Sequence, residues 1–371
     1  MTERVLITGG AGFIGSHLAR HLLERGYEVR ALDNLIAQVH REAKRPSYLH
    51  DEVELVHADI CDRTAVQSAL RNVDYVIHLA ARVGVGQSMY EIGGYTAVNT
   101  FGTAVLLEEM MDREIRKLVV ASSMSIYGEG LYRAPDGREV QSASRRRRQL
   151  EGEQWEPRGD HDDRLEPLPT PESKRPALSS IYALGKFDQE RMCLLFGSSY
   201  QIPTVALRLF NVYGPDQALS NPYTGVLAIF AGRLLHSRPP LIYEDGRQRR
   251  DFVSVHDAVR ACTLALQRNQ ADGLAVNVGS GQGVTIEQVA RGLASVMGRD
   301  QIEPVLTGKY RVGDIRHCFA DIALARQTLG YEPHVALEQG MVELARWLEG
   351  QQSDDRVEAA ASELAARGLT L

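Results

Sequence analysis

Val5-Leu-Ile-Thr-Gly-Gly-Ala-Gly-Phe-Ile-Gly15 decides the fold of this chain. Its first four residues form a continuous apolar and β-branched run, the pattern of a strand buried on both faces. Gly9, Gly12 and Gly15 follow at the spacing of a tight turn, with Phe13 and Ile14 between the last two. Without a Cβ the backbone can turn sharply and let a pyrophosphate reach the amides at the start of the next helix. That helix is expected from Ser16, because His17, Leu18, Leu22 and Leu23 supply an apolar spacing before Gly26 stops it.

A glycine triplet alone often serves only packing, so its context matters. A second strand, Val29 to Leu32, ends in Asp33, eighteen residues after Gly15. An acidic side chain near this offset accepts hydrogen bonds from an adenosine ribose and repels a 2′-phosphate, which points to NAD rather than NADP.

The 371 residues suffice for one large domain or two that share a cleft. A hydrophobic fraction of 44% with 24% charged residues is that of an ordinary soluble protein. A formal charge of −6 gives no general attraction to nucleic acid. Cys61, Cys193, Cys262 and Cys318 lie far apart, without metal-ligand spacing, so reduced thiols and no metal site are expected. The early first strand and the lack of an uncharged apolar run of spanning length lead to the expectation of a cytoplasmic protein with no membrane partner.

Outward from the opening unit, short apolar strands alternate with helices. Strands are expected at 53–56, 75–79 and 118–121, with helices at 64–70 and 98–111; the latter carries Val98, Phe101, Val105, Leu106 and Met110 at helical spacing. The polar stretch with Arg41, Lys44, Arg45 and Pro46 reads as a loop or short helix. This alternation is the signature of an α/β fold with a doubly wound parallel sheet of Rossmann type. Ligands of such sheets lie beyond the carboxyl ends of the strands, where Gly9, Asp33, Asp59, Ala80 and Ser123 all fall.

Between 128 and 179 the pattern dissolves into charge, glycine and proline, and reads as a long irregular insertion. The run Arg145 to Arg148 inside it is read first as a solvated loop or a short helix on an acidic surface, and second as a phosphate or substrate clamp. Order resumes with a helix at 181–196, a strand at 205–209, a helix at 225–235, a strand at 252–255, a helix at 258–267 and a strand at 275–278. Thr285 with Gln288 forms a capping box for a helix closed by Gly298, and Asp321 starts one that stops at Gly330. From 351 the tail reads as a loosely attached helix.

Tyr182-Ala-Leu-Gly-Lys186 puts a phenol and an ammonium on one helix face. The cation can stabilise the phenolate, so Tyr182 is a candidate general base on a substrate hydroxyl. Together with the opening turn and Ser123 at the end of the fifth strand, the pair reads as catalytic.

The whole chain from about 4 to 348 resembles the extended short-chain dehydrogenases/reductases, specifically the NAD-dependent nucleotide-sugar epimerase/dehydratase family. The resemblance is carried by T-G-G-A-G-F-I-G at 8–15, D-N at 33–34, D-I at 59–60, H-L-A-A at 78–81 and V-N-T-F-G-T at 98–103. It continues with S-S-M-S-I-Y-G at 122–128, Y-A-L-G-K at 182–186, R-L-F-N-V-Y-G-P at 208–215, R-D-F-V-S-V-H-D at 250–257 and R-V-G-D-I-R-H at 311–317. It implies NAD contacts by Gly9, Gly12, Phe13, Ile14, Gly15, Asp33, Asn34, Asp59, Ile60, Leu79, Ala80, Ala81, Asn99, Ser122, Tyr182, Lys186 and Phe210. Ser123 would share a hydrogen bond to the reacting oxygen with Tyr182, and Lys186 would also hold the nicotinamide ribose. For the nucleotide sugar it implies Asn211 along the diphosphate, Arg250 and Arg311 clamping phosphates, Asp314 on the ribose, and Cys318 at a position whose size bears on the sugar.

Dehydratases of the family resemble S-T-D-E-V-Y-G at the serine cluster, and the two acids they use align with Met124 and Ser125 here. Dehydration is therefore disfavoured, and 4-epimerisation through a 4-keto sugar is the expected reaction. The stretches 221–231 and 311–321 resemble dTDP-L-rhamnose 4-epimerases, with UDP-glucose/galactose and UDP-uronate 4-epimerases as alternatives and a non-catalytic NAD sensor as an alternative of another class. The expected layout is a cofactor domain over 1–210, with a return segment near 250–275, and a nucleotide-sugar domain over 211–249 and 276–350. The family's dimer uses helices matching 98–111 and 181–196, so a homodimer is expected by analogy.

Overall fold

The computed structural model describes residues 2–40, 43–219, 221, 225–311, 313–351 and 357–370. Arg41, Pro222, Tyr223, Thr224 and Val312, which belong to stretches read above, lie outside the described residues.

Seven strands form one sheet: β1 (Arg4–Thr8), β2 (Glu28–Asp33), β3 (Glu54–His57), β4 (Tyr75–His78), β5 (Lys117–Ser123), β6 (Thr204–Leu209) and β7 (Ala275–Val278). Their order across the sheet is β7-β6-β5-β4-β1-β2-β3, and every pair is parallel. Val5 stands beside Val29 on one side and Tyr75 on the other, so the chain reverses its direction of travel at β1. That reversal opens the crevice in which such sheets bind ligands.

Side-chain alternation divides the core in two. Val5, Ile7, Ala31, Ile77, Val119 and Val205 pack on the face of α1 (Phe13–Leu23), whereas Leu6, Leu32, Val76, Leu118 and Val120 meet Leu106, Met110 and Phe196 on the other. Burial of both faces explains why the strands read as unbroken apolar runs.

The helix after β3 is α2 (Arg63–Ala69), capped by the Asp62 carboxylate on Ala65 N. The helix expected over 98–111 begins as a π-helical stretch, Thr96–Phe101, and becomes α3 (Gly102–Met110) only afterwards. The wider turn shifts the phase of the stripe, which leaves Phe101 56% exposed instead of buried with Val105 and Leu106. Next comes α4 (Ile181–Tyr200), started by the Ser180 hydroxyl on Ala183 N and ended by Gln201 in the left-handed region.

The insertion is not structureless. Leu131–Arg133 pairs antiparallel with Glu139–Val140 and with Glu166–Leu168, and Arg147–Glu151 is a short helix. Its order comes from ion pairs with distant chain. Arg145 meets Glu129 at 3.3 Å and Glu244 at 2.5 Å, while the fully buried Arg316 meets Glu156, Glu244 and Asp245 at 2.7–2.9 Å. The arginine run thus splits: Arg145 is structural and buried, and Arg147 forms an exposed pair with Glu151.

Beyond β6 lie α5 (Val226–Leu235), α6 (Val255–Gln267), α7 (Ile286–Val296) and α8 (Leu337–Leu348). Thr285 and Gln288 form the expected capping box, and Ala323–Leu329 runs between Asp321 and Gly330. Leu227, Phe230, Val289, Leu293, Met341 and Leu344 make a separate core for this part. By contrast, α6 lies against α1, and β7 completes the large sheet beyond the expected end of the return segment at 275. The tail contains α9 (Val357–Ala366), anchored through buried Ala360 and Leu364. All four cysteines are free thiols, and no helix among the described residues is long and apolar enough to cross a membrane.

Candidate active site

The opening turn is built for close approach. Gly9 has φ +70°, and its N–H donates to Leu32 O at 2.7 Å. A Cβ there would lie 2.9 Å from Ala80 N, and one on Gly15 would fall on the Gly9 carbonyl. Gly12 caps α1 without a side-chain hydrogen bond, and no acid occupies the first turn. The amides of Phe13, Ile14 and Gly15 therefore suit an anionic ligand, which is the fit that a dinucleotide pyrophosphate requires.

Asp33 is drawn to the same turn. Its carboxylate accepts from Ala11 N and Leu35 N, both at 3.0 Å, with His40 Nε2 at 3.7 Å. Asn34 Nδ2 donates to Asp59 at 2.9 Å. Burial pushes the Asp59 carboxyl up, but hydrogen bonds from Cys61 and Asn34 bring it below the usual range. Ile60 is buried next to Gly102. Beyond β4, Leu79 N donates to Thr8 O and Ala80 N to Thr8 Oγ1, and Ala81 leads on to Arg82, whose N–H and C=O both pair with the buried Asn99 amide. Phe210, also buried, continues β6 and is tied to Val278 O.

At the end of β5 the serines divide their work. Ser122 Oγ donates to Glu190 at 2.6 Å, and Glu190 also takes both arms of Arg208, so the Ser122 side chain faces a buried ion pair and only its backbone is left for a cofactor. Ser123 Oγ accepts from Ser125 N at 3.2 Å and Ser125 Oγ at 2.9 Å. With its acceptor capacity used, the Ser123 hydroxyl donates toward the Tyr182 phenol. Burial holds that phenol above its ordinary value, and the Ser123 hydrogen bond pulls it back.

Lys186 sits one turn along α4, buried. Its ammonium donates to Gln189 Oε1 at 2.7 Å, and in the protein alone burial and Ser123 set the phenol's titration. Burial lowers the lysine to about 8. Gln189 Nε2 reaches His78 Nε2, Ala80 O and Thr103 Oγ1 at 3.0–3.1 Å, and His78 Nδ1 is 2.7 Å from Thr8 Oγ1. The lysine is thereby connected to the ends of β1 and β4. Sequence reading missed Gln189, although it lies three residues after Lys186 on the same helix; it also missed Ser88, whose Oγ accepts Tyr182 N at 3.0 Å.

The residues expected at the nucleotide sugar are partly assembled. Asn211 Oδ1 and Arg311 Nε are buried without a hydrogen-bond partner among the described residues. Such orphaned groups carry a cost that a ligand would relieve. The Arg311 guanidinium lies 4.3 Å over the Tyr243 ring. Arg250 reaches Asp314 at 3.4 Å and caps the carbonyls of Ile315 and Arg316. Cys318 lies below the serine cluster. It is fully buried with Met124 and Phe210, and burial pushes its thiol up to about 12.

A tyrosine and a lysine one helical turn apart beside a glycine-turn crevice mark the short-chain dehydrogenases and reductases, and this chain is one of the extended kind. Within that class it belongs to the NAD-dependent epimerase/dehydratase family, whose model matches residues 5–149 and 158–279. The gap falls inside the insertion. A dTDP-L-rhamnose 4-epimerase of Burkholderia thailandensis is 37% identical over 355 residues, covering 93% of this chain and 95% of that one. The UDP-glucose 4-epimerase of Thermotoga maritima, solved with UDP-glucose, superposes with a TM-score of 0.76 at 30% identity over 93% of this chain and 98% of that one. The Thermus thermophilus UDP-glucose 4-epimerase, solved with NAD, gives 0.74 at 31% identity over 94% and 100%.

Proposed function

We propose that the protein is a cytoplasmic nucleotide-sugar 4-epimerase that inverts C4 of a hexose through a 4-keto intermediate. The observation that carries this reading is the state of the serine cluster. Met124 and Ser125 stand where the family's dehydratases carry their two acids, and neither side chain has a carboxyl group for elimination of water; Met124 is buried in the core and Ser125 is spent on Ser123.

Bound NAD would take a hydride from C4 and return it to the opposite face of the same carbon. Around it, Tyr182 removes the O4 proton, with Ser123 donating to the phenolate as it forms. Burial holds the phenol protonated in the protein alone, and the positive charge of an oxidised nicotinamide, added to that of Lys186, would lower it once the cofactor is bound. The glycine turn, Asp33 and Asn34 hold the adenosine half, and the carbonyl ends of β3 and β4 line its remainder.

Asn211, Arg250 and Arg311 grip the diphosphate, with Asp314 near the nucleotide ribose. Arginine forks suit phosphate because they donate bidentate, charge-assisted bonds. Binding energy placed on the nucleotide leaves the sugar free to turn over between the two hydride transfers. A dTDP-linked 6-deoxyhexose of the rhamnose type is the favoured substrate, supported by the similarity to the Burkholderia enzyme, with UDP-hexoses next. A homodimer is supported by exposed apolar residues on the helices expected to pair: Phe101 and Met111 near α3, and Leu184, Leu195 and Tyr200 on α4.

The test is a panel of dTDP- and UDP-sugars followed by NMR for inversion at C4, run alongside Tyr182→Phe. Wild type should invert at least one sugar, and the variant should lose roughly a thousandfold in kcat while keeping its NAD. Failure of wild type on every sugar would remove the epimerase reading.

A further inference from the structure

We infer that the C-terminal helix α9 and residues 367–370 form part of the substrate site, closing the sugar end of the cleft so that the 4-keto intermediate is retained while it turns. This rests on the 4-epimerase reading above. The segment touches both sides of the cleft. Toward the smaller lobe, Glu358 lies 3.5 Å from Arg233 on α5, and Thr370 forms an antiparallel bridge with Arg311, the expected phosphate clamp. Toward the large sheet, Leu364 is 3% exposed and covers Gly86 so closely that a Cβ there would lie 3.2 Å from its Cδ2. The Arg367 guanidinium stands 4.1 Å over the Tyr90 ring.

The wall it covers is that of the catalytic residue. Two positions after Gly86, Ser88 accepts the backbone N–H of Tyr182. A chain segment of fourteen residues, 357–370, therefore joins the surroundings of the general base to the loop of Arg311. Leu364 and Arg367 carry this contact, since the Arg233–Glu358 pair is largely solvated on the glutamate side and contributes little.

Retention answers a chemical need. A sugar that must rotate cannot be gripped, yet if the 4-keto form leaves before hydride returns, the cofactor stays reduced and the enzyme is stalled. A cover that bars the exit without bonding to the sugar satisfies both demands. This cover is made by the tail.

The experiment compares the full chain with a chain ending at Gln351 and with Leu364→Ala/Arg367→Ala, whose replacements keep helix-forming residues. Inversion by the full chain is established first, so loss of the epimerase reading is seen separately. Both altered proteins should show a roughly tenfold higher KM, with weaker calorimetric binding of the nucleotide sugar. During turnover they should accumulate reduced-nicotinamide absorbance and release a 4-ketosugar that can be trapped by hydrazine. If the shortened chain fails to fold, the double variant decides. A folded variant with unchanged KM, no trapped ketosugar and no build-up of reduced cofactor would overturn the inference.

Discussion

Lys186 Nζ and Gln189 Oε1 are 2.7 Å apart inside α4, and through Gln189 the lysine is connected to His78, Thr103 and the Ala80 carbonyl. The Gln189 amide N–H, through Ala80 O and the His78–Thr8 contact, joins the catalytic helix to the carboxyl ends of β1 and β4, where the cofactor crevice opens. Gln189 thus acts as a positioning residue for the ammonium.

Gln189→Leu removes the acceptor and leaves a buried ammonium unpaired, which costs roughly 1–3 kcal/mol and depresses the lysine below its value of about 8. Activity should then fall at lower pH on the alkaline side, with kcat reduced roughly tenfold and KM little changed. Gln189→Glu, which restores an acceptor, should move the alkaline limb back up. A pH–rate profile identical to wild type for Gln189→Leu would contradict the role.

His78 provides a pH-dependent stability test. Burial, with a smaller effect of the nearby Lys186 charge, drives its imidazole down to about 3 from 6.5, so it stays neutral in the fold. Its contribution is fully present above 6.5 and is lost as pH falls from there toward 3, because only the unfolded chain takes up the proton. Denaturant titrations should show the advantage of wild type over His78→Gln shrinking by about 1.4 kcal/mol per pH unit between pH 6 and 4. A gap that does not change with pH would mean that the imidazole is not held neutral.

The opening unit, the parallel sheet and the Tyr182–Lys186 pair were legible because each rests on local spacing: an apolar run, glycines three apart, and a helical turn. The insertion was not, since its order depends on Arg145 finding Glu244 and Arg316 finding Glu156, partners that no local pattern connects. The phase of the 98–111 helix was misread for a related reason, as nothing in an apolar stripe announces a π-helical turn. Cys318 came from resemblance alone, and its packing against Met124 and Phe210 depends on contacts between distant segments that no local pattern announces. The tail read as loosely attached because the buried residues among those described, Ala360 and Leu364, make a stripe too short to stand out.

Gly9→Ala separates the demands of the turn from ordinary glycine strain. Both Gly9 and Gly26 have positive φ, but a Cβ meets Ala80 N at 2.9 Å at the first and nothing within 4 Å at the second. Each substitution should cost roughly 1–2 kcal/mol of stability from the left-handed backbone. Only Gly9→Ala should also reduce the NAD carried through purification, measured as nucleotide released on acid denaturation. Equal NAD content in the two variants would argue against the turn as the dinucleotide seat.

In the proposed reaction, hydride leaves C4 and returns to the same carbon without mixing with solvent. The direct measurement is turnover of an accepted dTDP- or UDP-sugar in deuterated water without added NAD, with the product analysed by NMR and mass spectrometry. Inversion at C4 with no deuterium at that carbon is expected; deuterium incorporated at C4 would rule out direct return of the hydride.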